Sequence, residues 1–122
     1  MADPTEVVQA FCDSWAKGDL DAIVDFFTDD AVYHNIPLEP AVGLDAIRAV
    51  VEMFVPPAEE IEFVIHHMFS SGELVFTERT DRFVTGGKTI ALPVAGVFEV
   101  RDGKIAAWRD YFDLQTFMSQ SG

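Results

Sequence analysis

Apolar residues recur at helical spacing in the first half of the chain and in strand-like runs through the second half. Val8, Phe11, Cys12 and Trp15 share one side of a helix that Asp3-Pro4-x-Glu6 opens and Lys17-Gly18 closes. The opening supplies an N-cap acceptor, a proline at the first helical position and a capping-box acid. Asp19 caps a second, short helix that buries Ile23, Phe26 and Phe27, and Ala31–Ile36 reads as a strand. After a stiff loop from Pro37 to Pro40, a third helix runs from Gly43 to Phe54. Leu44, Ile47, Val50, Val51 and Phe54 form its apolar side, and Pro56-Pro57 stops it. Strand-like runs follow at about 59–70, 73–84, 88–100 and 104–113, separated by Ser71-Gly72, Gly86-Gly87 and Asp102-Gly103. Helices first and a meander afterwards make an α+β domain and not a parallel sheet. No repeat, low-complexity tract or linker interrupts it, so residues 1–122 read as one domain.

Three of these strands carry polar residues at two-residue spacing, which puts each pair on one face. They are Tyr33-x-Asn35, Arg79-x-Asp81 beside Val75, Thr77 and Phe83, and Trp108-x-Asp110-x-Phe112. If the three faces converge, two carboxylates share one guanidinium with a phenol and an amide alongside. A carboxylate among aromatics is costly unless paired, and its proton affinity is open to tuning. The hairpin turn decides what faces Asp110. A type I turn with a glycine bulge at Arg101-Asp102-Gly103 sets Val94 opposite Asp110 and brings Leu92, Val94 and Phe112 to its face. A two-residue turn presents Ala95 and Val97 instead. The first register is the expected one.

Composition narrows the partners. The formal charge of −13 would repel nucleic-acid phosphates and does not steer anionic substrates inward. A neutral, weakly polar small molecule fits better. The single cysteine, Cys12, forms no internal disulfide and reads as a buried helix residue. The first residues lack a basic stretch and an apolar core, and no apolar run approaches the roughly 20 residues that cross a bilayer. The expected location is therefore the cytoplasm. His66 and His67 are adjacent, so they point to opposite faces of a strand, and they have no cysteine or acidic cluster to complete a metal site. A Gly-x-Ser-x-Gly elbow is absent, and Gly86-Gly87-Lys88 lacks the strand-to-helix context of a phosphate loop.

Between about Phe26 and Phe117 the chain resembles the limonene-1,2-epoxide hydrolases. The likeness is carried by Tyr33-x-Asn35-x-Pro37-Leu38, by Thr77-Glu78-Arg79-x-Asp81, and by Gly103-Lys104-Ile105 leading into Trp108-Arg109-Asp110-Tyr111-Phe112-Asp113-Leu114. The helix–Gly–Asp–helix start followed by Asp29-Asp30-Ala31-Val32-Tyr33 is typical of the wider nuclear-transport-factor-2-like and SnoaL-like superfold. The resemblance implies a cone-shaped, curved mixed sheet with three to four helices, and a homodimer. It implies Asp110 as base, Asp81 as acid, Arg79 bridging them, and Tyr33 and Asn35 holding water. It also implies an apolar pocket from Val75, Phe83, Leu92, Val94, Trp108 and Phe112, with no metal and no cofactor.

Opening an epoxide requires a base for the attacking water and an acid for the leaving oxygen, in different protonation states. Two aspartates about one arginine meet that demand. An isomerase or cyclase of the ketosteroid-isomerase or polyketide-cyclase kind would also use an acid, a tyrosine and a base. Arg79 between two aspartates, with Asn35 beside Tyr33, suits the holding of water better. A non-catalytic module for an apolar ligand would have no use for so expensive a buried cluster.

Overall fold

A computed structural model describes residues 3–121. Helix α1 (Pro4–Lys17) is capped by the Asp3 side chain accepting from the Thr5 amide, and Gly18 ends it in the left-handed conformation. Helix α2 (Leu20–Val24) is shorter than its sequence suggests. Phe26 lies beyond its end, and Phe27 opens strand β1 (Phe27–Asn35). Strand β2 (Ala41–Val42) and helix α3 (Leu44–Phe54) follow. The meander is β3 (Glu60–Ser71), β4 (Leu74–Thr85), β5 (Lys88–Arg101) and β6 (Lys104–Tyr111), and helix α4 (Leu114–Ser121) ends the chain.

The six strands form one open sheet in the order β2-β1-β6-β5-β4-β3, with β1 parallel to β6 and every other pair antiparallel. The expected curved mixed sheet with helices packed on it is what forms. Helix α1 fills the concave side: Phe11, Cys12 and Trp15 are buried against Phe27, Phe63, Phe98 and Trp108. Burial pushes the Cys12 thiol up to about 12, so it stays protonated core material.

Of three register shifts among the described residues of the sheet, one of them between β1 and β6, the two within the meander set which of its residues reach that side. In the β5–β6 hairpin, Asp102 and Gly103 both take positive φ, 51° and 79°, and Arg101 pairs with Lys104. This is the two-residue turn and not the three-residue turn expected. By itself it would put Asp110 opposite Ala95. An extra residue on β6, Ala106, shifts the register, so Asp110 pairs with Gly96 rather than Val94. Because a one-residue slip reverses faces, the bulge returns Leu92 and Val94 to the concave side as anticipated.

The second bulge is His66 on β3. It turns His66 and His67 to the same, outer face, where they bond Thr80 and Glu78 at 2.8 and 2.9 Å. Adjacent strand residues would otherwise point apart, which is where the sequence expectation for this pair fails.

Helix α4 has no buried residue. Strand β5 runs on past the end of β6, and the Gln120 amide caps its edge by accepting from Ala91 N at 2.7 Å and donating to Ala91 O at 3.1 Å. That amide pair mimics one residue of a neighbouring strand and ties α4 across the open end of the sheet. No helix among the described residues is long and apolar enough to cross a membrane.

Candidate active site

The strand pairing produces a row across the concave face: Thr77 on β4, Gly96 on β5, Asp110 on β6 and Asn35 on β1 are successive partners. Arg79 pairs with Val94 one step along, and its side chain crosses the row at Gly96. A Cβ at Gly96 would collide with Arg79 Nη1, lie 2.6 Å from Asp110 Oδ1 and 2.9 Å from Thr77 Oγ1. Only glycine leaves room for the guanidinium there.

All five N–H groups of Arg79 have acceptors. Nε and Nη2 donate to Asp81 Oδ1 and Oδ2 at 2.9 and 2.8 Å. Nη2 and Nη1 donate to Asp110 Oδ2 and Oδ1 at 2.7 and 3.2 Å, and Nη1 also donates to Thr77 Oγ1 at 3.0 Å. The cation sits 5.3 Å from the Phe63 ring and 5.8 Å from Trp108, so aromatic faces close what the carboxylates leave open. Trp108 Nε1 donates to Asp110 Oδ1 at 2.6 Å, and the Trp108 ring stacks on Tyr33 at 4.1 Å. The Asn35 side chain stands beside the Tyr33 hydroxyl and eases its ionisation slightly.

The side chains of Arg79, Asp81 and Asp110 are 0%, 6% and 4% exposed. Burial pushes Asp110 up to about 6, against the pull of Arg79 and with a further push from Asp81. Burial, then the Asp110 charge, raises Tyr33 well above its usual range, so it stays a phenol. Burial alone would weaken Arg79 as a cation, but Asp110 and Asp81 more than offset that. With both carboxylates ionised the trio carries one net negative charge in an apolar setting. Retaining one proton neutralises it.

A narrow cavity, with about 50 Å³ open to the centre of a water molecule, opens onto this cluster. Asp81 and Asp110 both line it, together with Tyr33, Asn35, Phe83, Leu92, Val94 and Phe112. Arg79, Trp108 and Val75 are not on its surface and sit fully buried in the layer behind. The structure adds Trp15, Leu38, Phe54, Phe63 and Phe117 to the lining. These come from α1, α3, α4, the loop after β1 and strand β3. Helical apolar periodicity marked Trp15 and Phe54 as inward-facing without revealing what they face. Thr77 stands on the Arg79 face in the sequence, and nothing in the sequence alone marks Gly96.

Residues 2–122 match the catalytic domain of limonene-1,2-epoxide hydrolase. The chain belongs to the limonene-1,2-epoxide hydrolase family. It is 37% identical over 112 residues to epoxide hydrolase EphG of Mycobacterium tuberculosis, covering 88% of this chain and 71% of that protein. The solved structure of an M. tuberculosis limonene-epoxide-hydrolase-like epoxide hydrolase superposes with a TM-score of 0.85 at 32% identity, over 96% of this chain and 87% of that one. A SnoaL-like polyketide cyclase fold from Shewanella putrefaciens has a TM-score of 0.87 at 19% identity, covering 99% of this chain and 97% of its own. That last likeness is one of fold.

Within this epoxide hydrolase family member, Gly96 is the most exposed point of the design to a small change. Gly96→Ala is expected to destabilise the protein by about 1–3 kcal/mol, the usual range for overpacking a filled interior. It should also abolish most diol formation, because the guanidinium must leave its place. Thermal unfolding and activity measured on the same preparation check this, and an unchanged melting temperature with full activity would contradict it.

Proposed function

We propose that this chain hydrolyses an apolar epoxide to a vicinal diol in one displacement, with Asp110 as general base and Asp81 as general acid. One observation carries the reading: both carboxylates reach the cavity, while the guanidinium between them does not. With its five donors committed, Arg79 has none left for substrate. It fixes the two carboxylates relative to each other and stays out of the chemistry.

In the proposed step, water held by Tyr33 and Asn35 gives a proton to Asp110 as its oxygen bonds an epoxide carbon. The C–O bond of that same carbon, on the side away from the water, breaks, and Asp81 gives its proton to the departing oxygen. One water is consumed, and the proton gained by Asp110 returns to Asp81 through solvent before the next turnover. Asp110 suits the basic role because a group held near 6 is ionised at neutral pH yet still takes up a proton readily. The Tyr33 phenol, kept protonated, offers a hydrogen bond without competing as a base. The apolar walls from Leu92, Val94, Phe83, Phe112 and Phe117 suit a substrate with little polarity beyond the epoxide itself. Nucleic acid, metal and cofactor have no part in this reading.

Asp110→Asn keeps the shape of the base and removes its proton affinity, so diol formation should fall about 10²–10⁴-fold. Asp81→Asn should be comparably damaging. In the wild-type enzyme kcat/KM should fall as pH drops through about 6, the direction set by protonating Asp110. Product analysis of the variants and a pH–rate profile test this together. An active Asp110→Asn enzyme would overturn the site assignment.

We also propose that two copies pair through the outer face of the sheet. Phe76 and Val97 are half-buried there, and Ala91, Pro93, Ala95 and Tyr111 are exposed along β5 and β6, with Glu78, Arg82 and Arg109 beside them on the neighbouring strands. Light scattering at micromolar concentration should give twice the 13.5 kDa of the chain. A monomer alone would remove the claim.

A further inference from the structure

The two carboxylates are not held alike. Asp81 receives an even fork from Arg79, 2.9 and 2.8 Å, whereas the fork to Asp110 is lopsided at 2.7 and 3.2 Å. The long arm comes from Nη1, the nitrogen whose other proton goes to Thr77 Oγ1 at 3.0 Å. Thr77 is buried, and its own hydroxyl proton is directed to the Gly96 carbonyl at 3.3 Å. That leaves a lone pair turned toward Nη1. As a β-branched residue on a strand, Thr77 has little freedom to turn its hydroxyl elsewhere.

We propose that Thr77 sets the basicity of Asp110, by accepting one Nη1 proton of Arg79 and so holding that edge of the guanidinium away from the carboxylate. A full, even fork would stabilise the ionised carboxylate further and make it a poorer proton acceptor. The lopsided fork keeps Asp110 fixed in place without spending its basicity. Other titratable or charged groups near Asp110 are Asp81 beside Arg79 on β4, Tyr33 on β1 and Cys12 on α1. None of them is a second cation; Trp108 Nε1 also donates to Asp110 Oδ1, the oxygen at the long arm, at 2.6 Å, and the Nη1 edge of Arg79 is the contact that Thr77 adjusts. Thr77 acts through Arg79 and is a positioning residue.

The inference rests on Asp110 being the base, and the experiment separates the two. Thr77→Val preserves shape and deletes the hydroxyl, freeing the Nη1 edge to close on Asp110. The acid limb of the kcat and kcat/KM profiles should move down by about half to one pH unit. At its plateau kcat should fall about two- to tenfold while KM changes little. Thr77→Ser restores the acceptor and should return the limb to its wild-type position. Thr77→Ala removes the same hydroxyl with less steric demand and should move the limb as Thr77→Val does. A limb that stays put or moves up in folded Thr77→Val or Thr77→Ala, or a serine variant that behaves like valine, overturns the proposal. If instead Asp110→Asn proves active, it is the assignment of the base that fails.

Discussion

A guanidinium with every donor committed, buried between two carboxylates, is the constraint on which the concave side of this protein depends. Arg79 has no route to solvent, so each of its N–H groups must find an acceptor inside the fold. Two aspartates and a threonine meet that need. The arrangement requires β4 and β6 to face each other across a β5 residue with no side chain, hence Gly96. It requires β6 to be in the register that sets Asp110 opposite Gly96, hence the bulge at Ala106. Aromatic rings from α1, β3, β5 and β6 then exclude water from the remaining surface of the ion cluster.

Burial makes such a cluster a weak source of stability, since desolvating three charges offsets most of their attraction. Its value in the proposed mechanism lies in proton accounting. Two carboxylates and one fixed cation favour holding a single proton in the dark of the interior, and both places for that proton open onto the substrate cavity. A reaction that consumes one proton at one carboxylate and delivers one from the other leaves the total unchanged.

Much of this was legible in the sequence because strand periodicity is short-range. Arg79-x-Asp81, Trp108-x-Asp110 and Tyr33-x-Asn35 each declare a shared face within three residues, and the three faces do converge. The helix caps at Asp3, Gly18 and Asp19 likewise depend on local chemistry. What depends on pairing across strands was not legible. The Asp102-Gly103 turn admits two registers, and the fold takes the shorter turn and corrects it with a bulge that no local residue announces. His66 and His67 obey the alternation rule in sequence and break it in the fold for the same reason. Gly96 looks like any glycine in a strand until the guanidinium above it is seen. The pocket wall from α4 was missed because Phe117 sits on a helix without buried residues, held across the sheet edge by Gln120.

In the proposed mechanism Asp110 acts on water and never bonds the substrate. A single turnover with enzyme in excess, run in ¹⁸O-labelled water, tests it most directly. If Asp110 activates water, the diol from that first turnover already carries one labelled oxygen. Unlabelled diol in the first turnover, with label appearing only later, would mean that a carboxylate oxygen had been transferred through a covalent intermediate, and would contradict it.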